Sequence, residues 1–181
     1  MELILILGPM KSGKSLELIS HFAPLKYTDI PFALFQPAKN VRDEHIWARD
    51  GITLEAKKVD TLAGVIEDRV QVVGIDEMHM FEEKEADVIG QLLKMRKNVI
   101  ISALDTDYQG KMFGIIKKLL ELGPKEIKCK RAVCEKCKKP DAVYTQVLKG
   151  NDPIVRGMPP VIPDDGTYAY KPACRMCFVK K

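Results

Sequence analysis

The sequence predicts an α/β fold: a mostly parallel sheet flanked by helices, followed by a small cysteine-bearing unit. Three observations predict it. Short continuous apolar runs alternate with segments of helical periodicity, as expected for parallel strands covered on both faces. The first apolar run meets the first helix through a glycine-rich turn. Near residue 128 the composition changes, and the remainder holds all 5 cysteines.

Leu3–Leu7 (LILIL) is the first buried strand. Ser15–Ala23 carries apolar residues at helical spacing and is stopped by Pro24. Phe32–Phe35 reads as a second strand and Val70–Ile75 as a third. Glu82–Lys97 is expected to be helical, with Ala86, Ile89, Leu92, Leu93 and Met95 as its apolar stripe. Asn98–Leu104 (NVIISAL) is a further buried strand. Gly110–Leu122 reads as a helix closed by Gly123-Pro124. Beyond that, Pro153, Pro159, Pro160, Pro163 and Pro172 crowd one stretch of a chain with 11 prolines. So much proline allows neither a helix nor a central strand there. Residues 1–128 are therefore read as one α/β domain, and 129–181 as a metal-stapled unit carrying a long loop.

At 46% hydrophobic and 30% charged residues, the composition is globular. The longest apolar run, Leu3–Leu7, is far too short to cross a bilayer, and nothing resembles a secretory leader, so a cytoplasmic protein is expected. The net charge of +4 is spread along the chain. Nucleic-acid binders concentrate theirs in a patch. The one basic stretch, Lys125 to Lys139, interleaves with cysteines and reads as the solvated rim of a metal site.

Gly8-Pro9-Met10-Lys11-Ser12-Gly13-Lys14-Ser15 satisfies G-x-x-x-x-G-K-[ST] between a strand and a helix. Glycines let backbone N–H groups turn inward to cradle phosphate oxygens at a helix N-terminus. In this motif the lysine (Lys14) meets the β/γ-phosphates and the Ser15 hydroxyl ligates Mg²⁺. The fold expected is thus of the P-loop NTPase type, with ATP as ligand. Val72–Ile75 runs into Asp76 and Glu77. At a strand end facing a phosphate loop, Asp76 suits Mg²⁺ binding and Glu77 suits orienting or deprotonating an attacking hydroxyl.

Cys134-x2-Cys137 and Cys174-x2-Cys177 are two knuckles whose thiolates match closed tetrahedral zinc. An iron site and disulfides are the other readings, the latter disfavoured inside cells. Cys129 lies off both knuckles and is expected to pack as a small apolar residue. The histidines are not at metal spacing; His21 falls on a helix face and His79 beside the acidic pair. Trp47 reads as partly packed.

With these motifs in order, the chain resembles the zinc-containing type II thymidine kinase family over nearly its whole length. The resemblance rests on Gly8 to Ser15 followed by Glu17-Leu18-Ile19, and on Ile75-Asp76-Glu77 with Phe81 following. It continues through Ala103-Leu104-Asp105, Tyr108 and Phe113-Gly114, then Ala132-Val133-Cys134 and Tyr144-Thr145, and ends on Tyr170, Pro172, Cys174, Arg175, Cys177 and Phe178.

The resemblance implies transfer of the ATP γ-phosphate to the 5′-hydroxyl of thymidine, and of deoxyuridine, with Mg²⁺ and a structural zinc. Glu77 is then the base. The ATP site comprises Gly8, Pro9, Met10, Lys11, Ser12, Gly13, Lys14, Ser15, Asp76, His79 and Arg42. Met10, Leu104, Tyr108 and Phe113 surround base and sugar. A lasso loop with Pro163, Asp164, Asp165, Gly166 and Thr167, followed by Tyr170, covers the thymine. A homotetramer is also implied.

Departures from the family pattern include His79 for Gln, Met80 for an aromatic, Asn40 for the acid before Arg42, and the loop sequence Ile162-Pro163-Asp164-Asp165-Gly166. They bear on base selectivity and leave the ATP and zinc motifs intact. The alternatives are a P-loop ATPase whose zinc unit binds nucleic acid or protein, and a kinase for another nucleoside.

Overall fold

The computed structural model describes residues 1–40, 45–47, 53–66, 69–162 and 166–180. Its centre is a six-stranded, wholly parallel sheet. The elements in chain order are β1 (Leu3–Leu7), α1 (Lys14–Phe22), β2 (Phe32–Pro37), β3 (His45–Trp47), β4 (Thr53–Glu55), β5 (Lys57–Val59), β6 (Val72–Ile75), α2 (Glu85–Lys94), β7 (Asn98–Ala103), α3 (Gly114–Glu121), β8 (Glu126–Cys129), β9 (Tyr144–Lys149), β10 (Asp152–Pro153) and β11 (Ala169–Ala173). The sheet order is β5-β2-β6-β7-β1-β8; β3 and β4 form a separate antiparallel pair.

The period of two along β1 divides its side chains between two cores. Leu3, Leu5 and Leu7 pack on one face with Ile89 and Leu92 of α2 and Ile115, Ile116 and Leu119 of α3. Ile4 and Ile6 face the other way, onto Leu18, Ile19 and Phe22 of α1. Burying each such side chain stabilises the fold by about 1.5–3 kcal/mol. The α1 side is packed so closely that a Cβ on Gly74, in central β6, would lie 2.7 Å from the Phe22 ring.

Helix ends differ from the sequence expectations for local reasons. α1 stops at Phe22 and passes into a 3-10 turn over Ala23–Tyr27 that accommodates Pro24. α2 ends three residues before Lys97, in a Schellman closure with Arg96 left-handed at φ 61°. The Lys97 N–H bonds the Leu92 carbonyl and the Arg96 N–H that of Leu93. α3 starts only at Gly114, because Asp107 captures the preceding backbone: its Oδ1 accepts the N–H groups of Gln109 at 2.8 Å and Lys111 at 2.9 Å.

Besides β3 and β4, five strands that the apolar runs do not signal are present. β5 and β8 are short charged edges; Lys57, Lys58 and Glu126 keep them from pairing further. In the proline-rich tail, β9 and β11 pair antiparallel with Thr145 opposite Pro172, and β10 adds to the other side of β9. Pro153 and Pro172 thus lie in the two edge strands, where proline is tolerated. Cys129 is exposed on β8 rather than packed as a small apolar residue. No helix among the described residues is long and apolar enough to cross a membrane.

Candidate active site

The carboxyl ends of β1, β6 and β7 converge on one site, as ligand sites in open parallel sheets do. Gly8 leaves β1 at φ 148°, and a Cβ there would come within 2.5 Å of the Lys130 carbonyl oxygen. The loop turns through left-handed Lys11 (φ 60°) and Gly13 (φ 79°). Ser12 Oγ and Lys14 Nζ both donate to the Pro9 carbonyl, at 2.7 and 2.9 Å. Lys14 is buried, which lowers its pKa, while Glu77, Asp76 and Asp105 oppose that shift.

Asp76 is the polar hub. Its Oδ2 accepts the Ser15 hydroxyl at 3.1 Å, and its Oδ1 accepts the Ser102 hydroxyl and the Glu77 N–H, the latter at 3.0 Å. Burial, then the neighbouring Glu77, pushes its pKa up to about 6. Glu77 adopts a left-handed φ of 52°, uncommon for a side-chain-bearing residue and frequent at functional sites. Asp105, just past β7, has a buried Oδ1 without a hydrogen-bond partner, and burial raises its pKa.

A cleft opens beside this hub, lined by Glu77, His79, Met10, Leu104, Tyr108, Phe113 and Tyr170. These are most of the residues expected for base, sugar and catalysis. Lys39, Asn40, Thr106, Asp107, Thr145, Val147 and the stretch 160–162 complete it. Gly166 and Thr167 are exposed and lie outside that lining. Arg42, Pro163, Asp164 and Asp165 fall outside the described residues, as does the side chain of Trp47.

Farther along the chain, Cys134, Cys137, Cys174 and Cys177 bring their Sγ atoms within 4.8 Å of one another. All are free thiols, which removes the disulfide reading. Zinc–sulfur bonds of about 2.3 Å in a tetrahedron require sulfurs about 3.8 Å apart. The Cys137 and Cys174 sulfurs are 3.7 Å apart. Crowding sets the thiols against one another: Cys177 is pushed up to about 12, first by the neighbouring Cys174 thiol. A divalent cation relieves that conflict, so the cluster is compatible with structural zinc.

The family profile described as thymidine kinase matches residues 1–178. The chain belongs to the thymidine kinase family. It is 34% identical over 176 residues to a thymidine kinase of Mycoplasmoides gallisepticum, covering 94% of this chain and 77% of that one. It is 29% identical over 179 residues to a thymidine kinase of Bacteroides thetaiotaomicron (97% and 85% covered). It is 33% identical over 183 residues to a cytosolic thymidine kinase of Bos taurus (99% and 73% covered).

In this thymidine kinase family member, several contacts at the site have roles that the motifs themselves do not assign. Thr145 Oγ1, on β9, accepts the Met10 N–H at 3.0 Å and so ties the tail to the phosphate loop. Glu17 of α1 binds Lys128 at 2.6 Å and Lys130 at 3.0 Å, bracing the same junction. Those two ammonium groups hold the Glu17 carboxyl at about 2. Ser102 bears on Asp76 from β7; a lone hydroxyl in the run NVIISAL was the one signal for it. His21 lies on the α1 face, with Nε2 3.2 Å from Lys128 Nζ.

His79 is buried, with its Nδ1 accepting the Leu104 N–H at 3.2 Å and its ring 5.1 Å from that of Phe113. The Glu77 carboxylate is 3.3 Å away, but this is no ion pair. Burial, reinforced by Lys14, lowers the His79 pKa from the usual 6.5 to about 3, so the ring is neutral. A lowered pKa means stability is complete above 6.5 and is lost as pH falls towards 3. Asp76 works oppositely: with its pKa raised from 3.8 to about 6, its contribution is complete below 3.8 and is lost as pH rises to 6. His79→Asn keeps an acceptor for the Leu104 N–H and removes the titrating ring. Urea melts without added nucleotide should therefore show the variant losing less stability than wild type from pH 6.5 to about 4. Parallel profiles would mean that His79 does not set the acid limb.

Proposed function

We propose that this chain transfers the γ-phosphoryl group of ATP to the 5′-hydroxyl of thymidine, a step of nucleotide salvage. One observation carries the reading: Glu77 stands both beside the Asp76–Ser15 pair at the phosphate loop and in the wall of the apolar cleft. The names of the relatives support it.

Backbone N–H groups of the 8–15 loop would hold the phosphates, with Lys14 turning from the Pro9 carbonyl to the β/γ oxygens. Ser15 and Asp76, whose oxygens are 3.1 Å apart, would hold Mg²⁺, which neutralises charge on the phosphates. Glu77 accepts the proton of the 5′-hydroxyl. The new O–P bond forms as the bond from the γ-phosphorus to the β–γ bridging oxygen breaks, releasing ADP. Most of the catalysis is positioning. Met10, Leu104, Tyr108, Phe113 and Tyr170 shape an apolar slot for base and sugar. Deoxyuridine, smaller by one methyl, should be a poorer substrate.

The direct test measures ADP and nucleoside monophosphate formed from ATP with each nucleoside and with single-stranded DNA. Thymidine should give both products in equal amounts. ADP release driven by DNA, or preference for another nucleoside, would overturn the reading.

Within the same proposal, residues 1–128 form the ATP-binding unit and 129–181 a zinc unit. This division is supported by the separate apolar clusters around the cysteines and around Val147 and Ile162. Elemental analysis should find one zinc per chain. Cys134→Ser or Cys177→Ser should lower zinc content and melting temperature, since structural zinc contributes roughly 10 kcal/mol or more to folding. Iron, or full activity and stability without metal, would refute a structural zinc.

A further inference from the structure

Residues 154–162, which follow β10, reach the cleft wall at 160–162, and their backbone is held by the Tyr108 phenol. Tyr108 Oη donates to the Met158 carbonyl at 2.8 Å and accepts the Met158 N–H at 3.2 Å. Gln109 Nε2 donates to the same oxygen at 3.1 Å and to the Val155 carbonyl at 3.3 Å. A phenol oxygen has one proton and two acceptor positions, so these three bonds saturate it. Tyr108 is 4% exposed, and its ring lines the cleft while its oxygen is spent on the loop.

The other side of the contact is stiff. Besides the two Asp107 Oδ1 bonds, the Asp107 N–H donates to the Lys111 carbonyl and the Gly110 N–H to that of Asp107. The turn bearing Tyr108 and Gln109 is thus closed on itself and projects from the parallel sheet. On the far side of the loop, Tyr170 Oη donates to the Ile162 carbonyl at 2.8 Å. Residues 155–162 are therefore held at Val155 and Met158 from one unit of the chain and at Ile162 from the other.

We propose that Tyr108, braced by Gln109, is the latch that sets the position of the 154–162 loop over the nucleoside, and so is a specificity-determining residue of this kinase. The inference rests on the proposed thymidine phosphorylation. The hydroxyl reads the loop and the ring faces the ligand, so the two functions separate chemically. Freeing the loop lowers the fraction of molecules with a formed slot, which multiplies the apparent nucleoside KM. The reacting groups at Lys14, Asp76 and Glu77 do not touch this hydroxyl.

The test is Tyr108→Phe, which keeps the ring, with Gln109→Leu as a second variant that loses the brace and the bond to the Val155 carbonyl. KM for thymidine should rise on the order of tenfold in Tyr108→Phe and less in Gln109→Leu, with the change in KM rather than kcat. Trypsin offers a reading independent of activity, because Arg156 is exposed within the loop. Cleavage there should accelerate in both variants at unchanged melting temperature. Unchanged cleavage at Arg156, or a fall in kcat and melting temperature without a KM change, would overturn the latch. Should wild type fail to phosphorylate thymidine, the proposed function falls, and the Arg156 cleavage rates still decide the latch.

Discussion

Lys14→Met is expected to lower ATP-dependent phosphorylation by on the order of 10³ or more while the protein still folds. The expectation rests on the electrostatics around the ammonium. Asp76, Glu77 and Asp105 all act on it. Methionine fills the buried volume but leaves those carboxylates facing one another. Phosphate oxygens would then enter a site of net negative charge, and the transferring group would lose the donor that meets its developing charge. The fold should survive because, among the described residues, the Lys14 amine bonds a loop carbonyl, that of Pro9, and takes no part in either apolar core. Circular dichroism and zinc content should match wild type, with steady-state rates carrying the difference. Near-normal turnover by a folded Lys14→Met protein would remove the phosphate loop from the mechanism.

What the sequence made legible follows from how strongly each feature is over-determined. The buried strands β1, β6 and β7 are apolar on both faces, so Leu3–Leu7 and the NVIISA stretch identify themselves. The phosphate loop and the knuckles need fixed residue types at fixed spacing, and the structure brings each set together. Features shaped by tertiary partners were less legible. β8 is stable because Leu7 pairs with Cys129 and Ile4 with Glu126, not because of any pattern within EIKC. Cys129 therefore lies exposed on an edge, where apolarity alone suggested packing. β9 and β11 stabilise each other across residues distant in sequence, and a proline at an edge position is invisible to a rule that treats all strands as central. The floor of the cleft was read from Tyr108 and Phe113, and Tyr170 of the expected cover stands in the lining as well. The lining at 160–162 precedes the Gly166 and Thr167 positions, because Tyr108 and Tyr170 draw the backbone in at Met158 and Ile162.

Glu77→Gln should reduce kcat by on the order of 10² or more and leave KM for ATP nearly unchanged. The substitution preserves length and a hydrogen-bonding oxygen while removing the capacity to accept a proton. The backbone that aims this side chain is fixed independently of it: the Glu77 N–H is held by Asp76 Oδ1 at 3.0 Å, and φ stays at 52° through the turn Met78–Met80. Geometry is therefore conserved and chemistry alone is tested. Glu77→Asp supplies the complementary case, a carboxylate withdrawn by one methylene, which should retain more activity than Gln if proton acceptance matters more than reach. Pre-steady-state measurement separates the chemical step from product release, and the loss should fall on the chemical step. A rise confined to KM for ATP would assign Glu77 to nucleotide binding. The proton acceptor would then be sought at Asp105, whose buried Oδ1 has no partner and whose charge already acts on Lys14.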